Sequence, residues 1–316
     1  MRRKSVSYAK YGYIFSAPFI LAFLIFSLYP IIYTAVIGFT DLKGLGKTDF
    51  KFLEKPFQNF INVINNPSFR VSLTNTAIMW IINFIPQILL ALLLTAWFTS
   101  TRHKVKGQGL FKVLFYMPNI ITAATIAILF NSLFGYPMSP VNDILQKLGL
   151  INGPFNFLRD KWATRGIISF IQFWQWYGYT MIVLISGVLG INPELFEAAE
   201  IDGATPSQTY FHITLPCLRT IMLFTLVTSL IGGLQMFDIP RLLNLGEPDN
   251  STLTTSMFIY NQAFQGSYLY NRAAAASMIM FVIIAILSGI LFYSMRDKYA
   301  AKIKKLEKKA QRRAAV

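Results

Sequence analysis

Six stretches of the chain run for at least 18 residues with almost no charge: approximately Tyr11 to Gly38, Val71 to Phe98, Leu110 to Phe134, Gly166 to Gly190, Thr220 to Phe237 and Ala273 to Met295. The hydrocarbon core of a bilayer is about 30 Å thick and takes about 20 mostly apolar residues in a helix. Each stretch therefore predicts a membrane-spanning helix. Each also holds Pro, Gly, Asn or Ser, which weaken a helix in water but are tolerated where neighbouring helices satisfy the backbone again. The expectation is an all-α, polytopic bundle of six packed helices. Arg2, Arg3 and Lys4 precede the first stretch as they would in a signal peptide. Its apolar part is longer than a signal peptide's and no small-residue cleavage site follows, which predicts an uncleaved anchor.

The composition excludes an ordinary water-soluble protein: 54% of residues are hydrophobic and 14% charged, with mean hydropathy +0.48. A single cysteine, Cys217, excludes a disulfide framework within the chain and a cysteine-based metal site. Two histidines, His103 and His212, are too few for a histidine metal cluster. The net charge of +15 falls between the apolar stretches, which argues for topology rather than nucleic acid. If the N-terminus is inside, the inside segments carry Arg2, Arg3, Lys4 and Lys10, then Arg102, Lys104, Lys106 and Lys112, then Arg219, then nine residues from Arg296 to Arg313. That is 18 of the 29 basic residues. Cytoplasmic segments hold the excess of Lys and Arg, so both termini are predicted to be cytoplasmic. The loop with Lys43, Lys47, Lys51, Lys55 and Arg70 counts against this and is outvoted. The organisation expected is a cytoplasmic N-terminus over residues 1–10, a transmembrane domain over 11–295 with a cytoplasmic loop at 191–218, and a basic tail over 296–316. That tail, with KIKKLEKKAQRRAA, suits anionic headgroups of the lipid bilayer.

Within the stretches there is no Asp, Glu, His or Arg, and Lys112 and Asp238 sit only at edges. Ion-coupled carriers and pumps place such groups inside the bundle, and none is available here for a proton relay. Gly46, Lys47 and Thr48 match the end of a phosphate-binding loop, but Asp41 stands where its first glycine should be and would repel phosphate. A solvated loop is the better reading. No catalytic Ser, His and Asp set, paired carboxylate cleft or metal cluster is present, so the chain is read as a non-enzyme.

The segment Asn192 to Leu218 reads NPELFEAAEIDGATPSQTYFHITLPCL. Acidic residues just after Pro193 suit the first turn of a helix, Gly203 stops it, and Pro206 after Thr205 starts another. Two short helices joined by a glycine bend are predicted. This segment resembles the EAA loop of the inner-membrane permeases of binding-protein-dependent ABC importers. Glu197, Ala198, Ala199 and Gly203 form its core, and Ile213, Leu215 and Pro216 close it. Asp202, Ala204 and Phe211 resemble the carbohydrate branch, the maltose-type first permease. YPIIYTAVIGFTD in the first stretch, Asn75 with Thr76, Met117 with Pro118, Phe237 with Asp238, and IYNQAF from Ile259 extend the resemblance over nearly the whole chain. Leu245, Gly246, Glu247 and Pro248 depart from the family's Gly-Gly-Pro turn, which puts the conformation of that loop in question.

The resemblance implies a type I ABC importer permease fold in the bacterial cytoplasmic membrane. It implies partnership with a second homologous permease, two copies of an ATPase that binds ATP and Mg, and an extracellular or periplasmic sugar-binding protein. This chain would hold no cofactor. The loop would be a coupling helix docked on the ATPase through Glu197, Ala198, Ala199, Asp202, Gly203, Ile213, Leu215 and Pro216. The cargo would be a sugar, an oligosaccharide for preference. Glycerol phosphate or an amino compound on the same architecture, or a secondary carrier, are the alternatives. Sugars are bound by aromatic faces and neutral polar groups, and the fourth stretch offers Gln172, Trp174, Gln175, Trp176 and Tyr179. By resemblance the third and fifth add Asn119, Ser229, Gly233, Gln235 and Met236.

Overall fold

The computed structural model describes residues 9–100 and 106–295. Arg2, Arg3, Lys4, Arg102, Lys104 and the tail from Arg296 lie outside the described residues. Among the described residues the regular structure is helical, apart from one isolated bridge between Thr40 and Phe52. Helix α1 (Ala9–Phe23) passes through a π turn at Leu24–Leu28 into α2 (Tyr29–Ile37). The wide turn stands just ahead of Pro30, where a ring without an N–H cannot keep α-helical register. Helix α3 (Gln58–Ile64) precedes α4 (Pro67–Phe98), which carries Pro86 without ending.

The third apolar stretch is not one straight helix. It forms α5 (Gln108–Ile120) and α6 (Ala123–Phe134), bent by 92° at Ile121 and Thr122. Both break residues are extended, and the Thr122 hydroxyl accepts the Thr125 N–H, so the break is a helix start that a hydropathy pattern cannot register. Helix α7 (Pro140–Lys147), capped by Ser139, precedes α8 (Lys161–Leu189), capped by Asp160. Then come α9 (Glu194–Ile201), α10 (Pro206–Thr209), a second π turn at Tyr210–Thr214, α11 (Leu215–Cys217), α12 (Arg219–Leu234), α13 (Asp238–Asn244), α14 (Thr255–Phe264) and α15 (Tyr270–Met295).

Among the described residues, four helical segments are long and apolar enough to cross a membrane, and six are if each bent pair counts as one span. Helix α8 reaches that count only together with α9, across a 77° bend. Its 29 residues are about 43 Å long, so its length suffices. Gln172, Gln175 and the rings between them dilute its apolarity. The helices also run past the apolar stretches, so Arg70, Arg165 and Arg272 fall inside α4, α8 and α15.

The chain divides into two compact units, one made of the residues up to Arg70 with Ser256–Val282, the other of Val71–Thr255 with those from Ile283 onward. In the first, Val63, Phe69, Phe258, Ala275 and Ala276 form a buried cluster. Asn59, also buried, donates to Gly38 O and Thr40 O at 2.9 and 2.8 Å and accepts from Asn271. In the second, Met79, Ile126, Phe130, Ile168, Ile171 and Ile239 form one cluster, and Ala91, Leu94, Tyr177, Met181 and Leu184 another. Helices α5 and α8 touch backbone to backbone at Gly178. A Cβ there would overlap the Phe115 carbonyl, with Phe115 C at 2.6 Å.

Candidate functional site

The EAA-like segment folds locally as its residues dictate. Glu194 and Glu197 occupy the first turn of α9, where carboxylates oppose the positive end of the helix dipole. At its other end Gly203 has φ +75°. Gly203 N–H donates to Glu200 O and Ala204 N–H to Ala199 O, at 3.1 and 2.9 Å. That is a Schellman stop, which needs a left-handed residue at this position. Nothing lies within 4 Å of a Cβ built on Gly203, so the constraint on it within this chain is its dihedral angle, not space. Thr205 and Gln208 then form a reciprocal capping box on α10, which satisfies two orphan N–H groups.

Glu197, Ala198, Asp202, Gly203 and Pro216 are exposed, Ile213 and Leu215 are half-buried, and Ala199 is buried. Ile201 is 86% exposed and Phe211 62%. No ion pair involving Glu197 or Asp202 forms among the described residues; the one present joins Lys161 and Asp249 at 3.1 Å, both exposed. The segment thus shows apolar side chains amid unpaired carboxylates. The hydroxyl of Tyr210 in the π turn donates to Leu92 O of α4 at 3.1 Å. Burial pushes the Tyr210 phenol above its usual 10.0.

A chamber of about 210 Å³ lies among α4, α8 and α12. Helix α8 contributes Gln172, Trp176, Tyr179 and Thr180; α12 contributes Thr225, Thr228, Ser229, Gly232 and Gly233; α4 contributes Asn83 and Gln87. None of these carries a charge. Trp176 meets Tyr179 edge to face at 5.8 Å. Gln87 Nε2 donates to Thr180 Oγ1 at 2.9 Å, and Ser229 Oγ stands 3.5 Å from Gln87 Oε1, so one buried amide ties three helices. Gly233 has to be small because the Trp80 indole lies where its Cβ would be. A larger groove of about 710 Å³, between the end of α4 and the EAA-like segment, is lined mainly by apolar residues such as Leu89, Leu93, Trp97 and Phe211. The smaller chamber has the chemistry of a polar solute path.

Five of the ten expected path residues meet in this chamber: Gln172, Trp176, Tyr179, Ser229 and Gly233. The structure does not bring the other five there. Asn119 donates its amide to Gln175 O at 3.2 Å, joining α5 to α8. Gln175 stands three residues from Gln172 but does not line the chamber. Trp174 packs against both core clusters, Gln235 is the exposed residue ending α12, and Met236 is buried with its carbonyl accepting from Thr254. Sequence reasoning missed Asn83 and Gln87, although two amides four residues apart in an apolar run mark one helix face. It also missed Arg165. That guanidinium donates to Asn75 Oδ1 and Ser251 O at 2.6 and 2.9 Å and lies 4.9 Å from the Trp162 ring centre. Asn75 in turn donates to Asn250 O and Leu253 O. Together they pin the loop in which Leu245 takes the left-handed conformation, φ +52°.

Residues 60–305 match the family of binding-protein-dependent transport system inner membrane components. The chain is 33% identical over 291 residues to the lactose transport system permease protein LacF of Rhizobium radiobacter, covering 91% of this chain and 94% of that one. It is 31% identical over 276 residues to the arabinooligosaccharides transport system permease protein AraP of Bacillus subtilis (strain 168), covering 87% and 85%. Its fold is similar to that of a chain in the crystal structure of a bacterial ABC transporter involved in the import of the acidic polysaccharide alginate. The TM-score is 0.75 at 24% identity, with 90% and 94% of the chains covered.

Proposed function

Because the chain belongs to the family of binding-protein-dependent transport system inner membrane components, we propose that it is the membrane-spanning permease subunit of an ATP-driven importer of a neutral sugar, an oligosaccharide for preference. The observation that carries the cargo is the chamber: amides, hydroxyls and the exposed Trp176 face, with no charged side chain in its lining. Neutral hydroxyls can be satisfied by neutral donors and acceptors. A carboxylate or phosphate ester would leave its charge desolvated without a counter-ion. This separates the cargo from the acidic polysaccharide of the alginate transporter and from glycerol phosphate. The lining also lacks the titratable group a proton-coupled carrier would use. Permease relatives whose names specify lactose and arabinooligosaccharides support the same class.

Membership of the family supports the rest of the assembly. An ATPase dimer hydrolyses ATP and holds the Mg, an extracellular binding protein delivers the sugar, and a second related permease completes the path, because one half bundle encloses too little space. Both termini lie in the cytoplasm, in accord with the distribution of Lys and Arg. The segment from Glu194 to Pro216 then also faces the cytoplasm, and its unpaired carboxylates and exposed Ile201 and Phe211 suit a partner with basic and apolar surface. Purification of the tagged chain from native membranes, followed by reconstitution with its binding protein, tests the reading. Two ATPases and one related permease per chain, with ATP-dependent sugar uptake, are expected. A homo-oligomer that moves solute without any ATPase would overturn it.

A further inference from the structure

Asn83 sits in the middle of α4, 4% to 5% exposed like Gln87 one turn further on, and its Nδ2 donates to Met79 O of its own helix at 3.0 Å. Nothing among the described residues donates to its Oδ1. An amide buried in a membrane-spanning helix is costly, and polar side chains there are normally kept because they tie one helix to another. Gln87 does that, through Thr180 and Ser229. Asn83 ties nothing together, yet it lines the chamber. A carboxamide fixed by a backbone carbonyl, with its acceptor oxygen unused beside a polar cavity, is a hydrogen-bond acceptor held ready for a hydroxyl.

We infer that α4 is the specificity wall of the chamber, with Asn83 as the hydroxyl-reading residue for a neutral sugar and Gln87 as its neighbour. This rests on the sugar-importer reading and adds to it the second span, which the sequence did not place on the path. The wall reads the orientation of the hydroxyls on the sugar unit that passes it. Asn83 Oδ1 accepts from an equatorial or axial hydroxyl according to the sugar. An epimer that points this hydroxyl elsewhere leaves both groups unpaired, a difference that a site built to hydrogen-bond its substrate converts into strong discrimination.

The test uses the complete importer in proteoliposomes with its binding protein saturating, so that differences in maximal uptake rate report the membrane path and not capture. Labelled neutral disaccharides that differ in one hydroxyl orientation, lactose and cellobiose among them, and a disaccharide–tetrasaccharide pair of the same unit are compared for wild type and Asn83→Ala. Because Asn83 bonds only within its own helix, the variant is expected to assemble and to unfold at the same temperature as wild type. Its epimer discrimination should fall about tenfold, with the ratio of rates for the two chain lengths unchanged. Gln87→Leu should also lower discrimination, together with stability. If Asn83→Ala leaves all sugars in wild-type proportion, or changes length selection alone, the inference falls and the importer reading stands. If wild type takes up no neutral sugar, both fall.

Discussion

Two glycines of α8 show how differently one residue type can act within a single helix. At Gly178 the backbone of α5 occupies the place of a side chain, whereas nothing lies within 4 Å of a Cβ on Gly166. Gly178→Ala should therefore force the helices apart at a cost of about 2–3 kcal/mol. Gly166→Ala, free of that contact, should gain about 0.5–1 kcal/mol through helix propensity. Thermal unfolding of the purified importer in detergent would read both. The sequence shows two glycines in an apolar run, and only the path of α5 tells them apart. Leu245 is the converse case. It adopts φ +52°, ψ +21°, a conformation that costs a residue with a Cβ roughly 1–2 kcal/mol, and at 66% exposed its side chain contributes little burial. Leu245→Gly should raise stability by up to about 1 kcal/mol, read by the same unfolding measurement; a loss would mean the side chain is held by a partner subunit.

At the scale of elements, the short helices of the EAA-like segment were the most legible part of the chain. Pro193, Gly203, Thr205 and Pro206 each act on the backbone within a residue or two, so α9, its Schellman stop and the capped α10 follow from local chemistry. The π turn after α10 was not legible, since Pro216 alone does not say how the preceding turn will widen. Its consequence is the Tyr210 bond to Leu92 O, a direct tie between this segment and the helix that carries Asn83 and Gln87. Tyr210→Phe should cost about 1 kcal/mol. The pH dependence has a definite sign. Burial raises the folded-state pKa of Tyr210 above 10.0, so its contribution is full below the unfolded value and is lost as pH rises through the folded one. Unfolding measured across the alkaline range should show wild type and Tyr210→Phe converging as pH climbs. A constant difference would put the phenol's role in packing and not in its proton.

At the scale of the whole molecule, apolar stretches told where the chain enters the bilayer but not how the helices bend or group. The 92° break at Ile121 and Thr122 and the division into two compact units depend on contacts far apart in sequence. The same holds for the chamber: charge-free stretches pointed to a neutral solute, while the amides that line it depended on which faces of α4, α8 and α12 meet. Coupling is the function that only the assembled importer can reveal. Glu197 is exposed on α9 and unpaired within the described residues, so reversing its charge removes nothing from this chain's own fold. If Glu197 pairs with a basic residue of the ATPase, Glu197→Lys should leave insertion and thermal unfolding as in wild type. Reversal of one member of an interfacial pair costs about 2 kcal/mol or more, so ATP-driven uptake should fall at least about tenfold. Gly203→Ala shifts the bend by strain at a left-handed position, about 1–2 kcal/mol, and should give a smaller loss of the same kind. The decisive comparison is uptake per ATP hydrolysed in proteoliposomes. A fall in that ratio for Glu197→Lys marks the segment as the transmitter of the ATPase stroke, whereas wild-type uptake by both variants would move the coupling surface elsewhere on the chain.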